Sequence, residues 1–164
     1  MNAGANNLEE QLQQTLASWP LFQQGEATLT VERDGKQLSC VLTTLDSLAC
    51  AFTSLSLRSD RLAGASIERL KTVAGNLAKR LTYLLEPISP IETDIDRCIV
   101  QMRSLPPKQQ SDQVDYYELL VARSGELALA RYSRAKGGQR AAIPAQVTRE
   151  VLVRLAADLA AAAG

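Results

Sequence analysis

The residues with the clearest chemical potential form a basic stretch near the end of the chain, "RYSRAKGGQR". Its four cationic side chains are Arg131, Arg134, Lys136 and Arg140, and no acid follows before Glu150. Gly137-Gly138 predicts a flexible loop. A basic, glycine-bearing loop ahead of a helix can bind a phosphate group or an acidic peptide. A solvated loop is the simpler interpretation, and both remain open at this point.

Catalytic motifs are absent from the sequence. The chain contains no histidine, which excludes Ser-His-Asp and Cys-His arrangements and an imidazole base. It also has no nucleophile-elbow, P-loop or dinucleotide-binding glycine motif. A Ser-Lys dyad stays possible, although no spacing indicates one. We therefore lean towards a protein without enzymatic activity or a resident cofactor.

Three cysteines, Cys40, Cys50 and Cys98, are too widely spaced for a disulfide framework or a zinc site. We predict reduced, buried thiols that act as small hydrophobic residues, and a reactive thiolate is the alternative. The segment "ETDID" alternates Glu92, Asp94 and Asp96, a spacing that can place carboxylates together as in a Mg²⁺ or Ca²⁺ site. The glycine and glutamate of an EF-hand loop are missing, so an acidic turn is the favoured interpretation and we predict no metal.

The segment "YYELLVARSGELALARYSR", residues 116–134, predicts a β-hairpin. With Ser124-Gly125 as a two-residue turn, Glu118 would face Arg131 and Tyr117 would face Tyr132. That register leaves apolar residues on both faces of the hairpin. Another part of this chain, a second copy or a partner protein could cover one of these faces, and we predict that it is an interface with another chain. Its residues would be Tyr117, Leu119, Val121 and Tyr132.

A second hairpin, at residues 27–42, is predicted from Asp34-Gly35, a strong signal for a type I′ turn. Pairing Arg33 with Lys36 places Val31 opposite Leu38 and gives one apolar and one polar face, as in a sheet with one wet side. A third strand follows, and its alternation slips between Phe52 and Leu55, which indicates a bulge or the strand's end.

Three amphipathic helices are predicted. The first begins after Asn6 or Asn7 and ends at Trp19-Pro20; the second begins after Ser66; the third covers roughly residues 145–161. Residues 88–104 predict a strand pair closed by Pro106-Pro107, and "KQQSDQ" predicts a mobile loop. The expected order is α-βββ-α-ββββ-α. This order indicates one α+β domain over residues 1–164, with a mostly antiparallel sheet of six to seven strands and helices on one face.

Charge and hydropathy exclude several classes of partner. Lys plus Arg equals Asp plus Glu, 18 each, so there is no general attraction to nucleic acid or to acidic membranes. One tyrosine in the basic stretch is too little aromatic surface for single-stranded nucleic acid. The sequence shows no secretory signal and no apolar run of membrane-spanning length. We therefore expect a cytoplasmic protein without a membrane partner.

Two resemblances add to this interpretation. The part from "LLEPISPIE" through "RSLPP" to "YYELLVARSGELALARY" resembles a bacterial domain family of unknown function, which implies no activity. The predicted element order is similar to that of type III secretion chaperones. Those are small cytoplasmic α+β homodimers that hold an unfolded segment of a secreted partner. They are usually distinctly acidic, whereas this chain is balanced, with a pI of about 6.3.

Together these patterns predict a non-catalytic protein-interaction module, chaperone-like or adaptor, and a homodimer. The alternative is a protein that binds a small molecule, a phosphate group or a nucleotide through residues 131–140.

Overall fold

The computed structural model describes residues 7–104 and 112–164, together with the backbone of 108–110. The helices are α1 (Leu8–Ser18), α2 (Ile67–Arg80) and α3 (Arg149–Ala163). The first strands are β1 (Ala27–Arg33), β2 (Lys36–Leu45), β3 (Ala49–Ser59), β4 (Ile88–Asp94) and β5 (Ile99–Ser104). The others are β6 (Lys108–Gln110), β7 (Gln113–Ala122), β8 (Glu126–Ala135), β9 (Arg140–Ile143) and β10 (Ala145–Thr148).

All ten strands belong to one sheet, and every described pairing is antiparallel. Seven strands make the main order β1-β2-β3-β8-β7-β5-β4, while β6, β9 and β10 pair at its margins. The three helices pack on one side of the sheet, which we call the inner face; the opposite side is the outer face. The predicted α+β architecture and its element order are confirmed.

The β1–β2 hairpin has the register that the sequence predicts. Arg33 pairs with Lys36 and Val31 with Leu38, through to Ala27 with Leu42. Asp34 and Gly35 have φ values of 53° and 75°, as a type I′ turn requires. The inner residues Leu29, Leu38 and Cys40 are fully buried, so turn chemistry and burial specify the same register.

The slip in alternation along β3 is a bulge. Val41 pairs with Ser54 and Leu42 with Phe52, which leaves Thr53 as the extra residue. Phe52 and Leu55 therefore both point inward and are fully buried, although they are three residues apart.

Each helix begins at a side-chain cap. Asn7, Ser66 and Thr148 accept hydrogen bonds from backbone amides three residues ahead, as N-caps do. The helices bury their leucine-rich sides against the inner face. Tyr83 also fastens α3 to the chain beyond α2, because its hydroxyl donates a 2.6 Å hydrogen bond to Asp158.

The predicted register of the β7–β8 hairpin is wrong by one residue. Val121 pairs with Leu127, and Tyr117 pairs with Arg131 rather than Tyr132. The loop has three residues, Arg123 to Gly125, and its glycine has a φ of 95°. The amide of Gly125 donates to the carbonyl of Ala122, which closes this longer turn. The change gathers the large aliphatic residues of the hairpin mainly on the inner face.

Three further boundaries differ from the sequence prediction. Residues 131–140 are not a loop, because β8 extends to Ala135 and β9 begins at Arg140. Residues 145–148 are strand β10, so the last helix begins four residues later than predicted. Residues 108–110 pair with β7 as strand β6, although "KQQ" was predicted to be loop. The prediction failed because a polar segment without apolar alternation gives no strand signal. Pro106-Pro107 lies outside the described residues.

Among the described residues, none of the helices is long and apolar enough to cross a membrane.

Candidate functional site

The outer face carries a depression of about 660 Å³ at the end formed by β5, β7, β8 and β9. Its lining contains three arginines and one tyrosine among smaller groups: Arg103, Val114, Tyr116, Arg134, Gly138, Gln139 and Arg140. We call this feature the outer depression. It is open to solvent, since Arg134 and the residues from Gly138 to Arg140 are exposed.

Strand alternation places these side chains together. On β5, Val100, Met102 and Ser104 are buried on the inner face, so Arg103 points outward. Tyr116 of β7 is the cross-strand partner of Tyr132 on β8. Two residues further along β8, on the same face, Arg134 is the partner of Arg140 on β9.

The two tyrosines are packed between two arginines. Their ring centroids are 6.0 Å apart. The guanidinium carbon of Arg103 lies 4.5 Å from the Tyr116 centroid, and that of Arg140 lies 3.9 Å from the Tyr132 centroid. Each pair has the geometry of a cation–π contact, which restrains the plane of the guanidinium group.

Glu118 holds Arg140 in place. Its carboxylate, which is buried, accepts a hydrogen bond from Nη1 of Arg140 and a 2.8 Å hydrogen bond from Nε2 of Gln101. Burial alone would lower the pKa of Arg140, but its contacts with Tyr116 and Glu118 raise that pKa above the ordinary value. Arg140 is thus fully charged and oriented.

The arginine charges of the outer depression exceed the nearby carboxylate charge. Within the described part of the chain, neither Arg103 nor Arg134 has a carboxylate within ion-pairing distance. The buried Nε of Arg103 also has no hydrogen-bond acceptor there. Three guanidinium groups and the carboxylate of Glu118 leave a formal charge of +2 at neutral pH. This arrangement can bind an anion.

Arg134 and Arg140, two of the four predicted binding residues, meet in the outer depression. Arg131 lies on the inner face, where Nη1 is 2.9 Å from the carboxylate of Glu86 and the guanidinium covers the Tyr117 ring. Both partners of that ion pair are largely buried, and they line a separate concavity of the inner side. A binding role for Arg131 stays a prediction. Lys136 lies in the β8–β9 turn, in an adjacent concavity with Asp112.

The predicted interface residues are divided between the two faces. Leu119 and Val121 are fully buried in the core, and Tyr117 is buried beside Arg131. Only Tyr132 faces outward. Helices of the same chain cover the inner residues, so the bare apolar surface that motivated an interface there does not exist in this register. Self-association of the protein stays a prediction.

Arg103, Tyr116 and Glu118 were not identified as site residues from the sequence. Arg103 is remote in sequence from the basic stretch, and only the pairing of β5 with β7 brings it near. The alternation of buried Val100 and Met102 was the available signal that Arg103 points to the other face.

Among the other candidate groups, Glu92 and Asp94 line a second concavity that shares Arg140 with the outer depression and also contains Glu118. In the described part of the chain, neither carboxylate forms an ion pair with Arg140. Cys40, Cys50 and Cys98 are unpaired and buried, and burial raises the pKa of Cys50 to about 11 and that of Cys40 further. Asp94 accepts a hydrogen bond from the amide of Arg97 and closes the β4–β5 turn. The described residues contain no group of three or more potential metal ligands.

Comparison of the chain with protein-family models, with curated proteins and with solved structures gives no match.

Proposed function

We propose that this protein is a non-catalytic interaction module that binds an acidic segment of a partner protein in the outer depression. The observation that carries the proposal is the convergence of Arg103, Arg134 and Arg140 on one open concavity. Among the described residues, the carboxylate of Glu118 is the one in contact with these guanidinium groups. A positive concavity of this kind attracts an anionic partner and fixes its orientation.

The shape of the outer face favours an extended segment. Next to the outer depression, the exposed sides of β8 and β3 carry small residues, including Ala128, Ala130 and Ser56. Small side chains leave a nearly flat floor across which a peptide backbone can lie. Arginine and tyrosine beside such a floor are residue types enriched at protein interfaces.

Single-stranded nucleic acid fits the same surface less well, because base stacking needs free aromatic faces. Guanidinium groups already cover Tyr116 and Tyr132, and Tyr116 is only 6% exposed. The rings therefore act as supports for the arginines.

The residues of the outer depression are suited to binding. They supply positive charge and hydrogen-bond donors, and the chain has no histidine to act as a base there.

Self-association and a cytoplasmic location belong to the same proposal. Sedimentation of the wild type tests the first: a species near the chain mass of 17.8 kDa would reject the homodimer.

The proposal is tested with a fluorescein-labelled hexaglutamate peptide, read by fluorescence anisotropy, with hexaglutamine as the neutral probe. We expect saturable binding of hexaglutamate only, weakening as salt is raised. Arg103→Gln and Arg140→Gln should each weaken it about tenfold, since a charge-assisted hydrogen bond contributes roughly 1.5–3 kcal/mol.

Arg58→Gln is the matched control. Arg58 is an exposed arginine on the outer face of β3, opposite Glu126 of β8. Arg134 lies eight positions after Glu126 along β8, a distance of about 26 Å. If Arg58→Gln weakens hexaglutamate binding as much as Arg140→Gln does, the attraction is diffuse and the proposed site is wrong.

A further inference from the structure

We infer that the group which the outer depression takes is a phosphoryl group carried on the partner's segment. This inference rests on the proposed function, because it uses the same depression and the same kind of partner. It adds the chemical identity of the anion, a phosphate monoester, and it names Arg103, Arg134 and Arg140 as the residues that contact it.

The charge of the site matches that of a phosphoryl group. Arg103, Arg134, Arg140 and Glu118 together carry a formal charge of +2. A phosphate monoester carries about −1.5 to −2 at neutral pH, whereas a carboxylate carries −1. The phosphoryl group therefore matches the charge of the depression, and one carboxylate would leave about half of it uncompensated.

The number and origin of the hydrogen-bond donors also favour a phosphoryl group. A planar guanidinium can bind two oxygens of one anion in a forked arrangement, and a single arginine is enough for one carboxylate. Here guanidinium groups arrive from three strands: Arg103 from β5, Arg134 from β8 and Arg140 from β9. A phosphoryl group has three terminal oxygens and can accept from all three directions.

Two of the arginines are held in position before any ligand binds. Arg103 lies over Tyr116 and Arg140 over Tyr132, and Glu118 holds Arg140 from the side. Gln101 in turn holds Glu118. These contacts reduce the side-chain freedom that an anion would otherwise have to remove on binding. Within the described residues, the buried Nε of Arg103 has no hydrogen-bond acceptor, and its cross-strand neighbour Glu118 is not within ion-pairing distance.

The partner segment, rather than a free metabolite, is the source that the geometry favours. Arg134 and the turn from Gly138 to Gln139 are exposed, so a small molecule bound there would remain exposed to solvent on that side. An extended chain could continue from the depression across the small residues of β8 and β3 and gain further contacts there.

The test compares three labelled peptides of one otherwise neutral sequence, with a central phosphoserine, glutamate or serine. Anisotropy should show the phosphoserine peptide binding at least about tenfold more tightly than the glutamate peptide, with no saturable binding of the serine peptide. The preference should fall several-fold at about pH 5, where the phosphoryl group loses its second charge. Sulfate does not titrate there, so its own inhibition constant against the phosphoserine peptide should be the same at both pH values.

Variants assign the effect to the arginines. Arg103→Gln, Arg134→Gln and Arg140→Gln should each reduce the preference for phosphoserine to a few-fold or less, and Arg58→Gln should leave it unchanged. Arg140→Lys keeps the positive charge but loses the forked pair of N–H donors, so its preference for the phosphoserine peptide should lie between those of the wild type and Arg140→Gln. Arg134 is exposed, so its variant keeps the test decisive even if Arg103→Gln fails to fold.

The possible failures are distinguishable. Equal binding of the phosphoserine and glutamate peptides would overturn the inference and leave the proposed function standing. Calorimetric binding of inorganic phosphate without binding of any peptide would overturn both in favour of a small-molecule ligand. Tighter binding of an oligothymidine than of the phosphoserine peptide at the same salt would overturn both in favour of nucleic acid.

Discussion

Arg134 and Arg140 are direct cross-strand partners on the outer face of the β8–β9 hairpin. Like charges in this position destabilise an antiparallel pair. Glu118 relieves one of them by binding Arg140, while Arg134 has no carboxylate within ion-pairing distance among the described residues. Arg140 itself lies over Tyr132, and the neighbouring Arg103 lies over Tyr116. We propose that this arrangement serves to bind an anion, since the repulsion does not stabilise the hairpin.

Removing the repulsion should therefore stabilise the fold and harm binding. We expect Arg134→Gln to raise the free energy of unfolding by about 0.2–1 kcal/mol. Arg58→Gln should lower it by a similar amount, because Arg58 faces the oppositely charged Glu126. Urea denaturation measures both changes. A loss of stability in Arg134→Gln would show that Arg134 has a structural role instead.

The turn of the β7–β8 hairpin should be intolerant of any side chain. Gly125 has a φ of 95°, and a Cβ added there would lie 2.6 Å from the carbonyl oxygen of Ser59. Gly137 also has positive φ, but open space surrounds it. We expect Gly125→Ala to lower the free energy of unfolding by more than about 2 kcal/mol and Gly137→Ala by about 1 kcal/mol. Thermal and urea unfolding measure both variants. If Gly125→Ala and Gly137→Ala lower the stability equally, the close approach of Gly125 to Ser59 is wrong.

The sequence predicts the strand register correctly for the β1–β2 hairpin and incorrectly for the β7–β8 hairpin. Asp34-Gly35 permits one tight turn, and the alternating pattern on both sides agrees with it, so the register follows. Ser124-Gly125 suits a two-residue or a three-residue loop, and the apparent pairing of Glu118 with Arg131 favoured the wrong one. In the structure these residues lie on opposite faces, and each has a different ionic partner, Arg140 and Glu86 respectively.

The candidate site is predictable only in part for a related reason. Arg134 and Arg140 are close in sequence, and the basic cluster that contains them is visible in the sequence. Arg103 joins them through the pairing of β5 with β7 and β7 with β8, a long-range arrangement that no local pattern specifies. Arg131 belongs to the same basic cluster but points to the other face, because strand alternation separates it from its neighbour Tyr132.

Adjacent residues of β7 provide a direct test of the corrected register. Val121 is fully buried on the inner face, whereas Leu120 lies on the outer face. Val121→Lys should unfold the chain, because it places an unpaired charge in the core, with a loss of several kcal/mol. Leu120→Lys should cost less than about 1 kcal/mol. Circular dichroism measures the outcome, and a folded Val121→Lys that merely sediments more slowly would instead support the interface predicted from the sequence.

The buried thiols should make the protein sensitive to alkali. The pKa of Cys50 is raised from 9.0 to about 11 in the folded chain, chiefly by burial. The folded state thus favours the neutral thiol, whose stabilising effect is complete below about pH 9 and is lost as pH rises towards 11. Cys50→Ala should give a shallower decline of unfolding free energy over that interval. If the unfolding free energy of Cys50→Ala falls with pH as steeply as that of the wild type, Cys50 does not contribute to the alkaline sensitivity.

Thiol labelling checks the same burial at neutral pH. Native Cys40 and Cys50, at 0% and 2% exposure, should label slowly, with Cys98 at 8% the fastest of the three. All three should label rapidly after unfolding. Rapid labelling of native Cys40 would contradict the core described above and reopen a reactive cysteine.

The central claim is that the outer face, at its arginine–tyrosine end, receives the anionic partner. Nuclear magnetic resonance of the labelled protein tests it most directly, by following arginine Nε–H and tyrosine ring signals while the phosphoserine peptide is added. The account predicts that the largest shifts fall on Arg103, Tyr116, Tyr132, Arg134 and Arg140, with Arg58 and Tyr83 unmoved. Shifts centred instead on Tyr83, Tyr117 and Arg131 would place binding on the inner side of the sheet and contradict it.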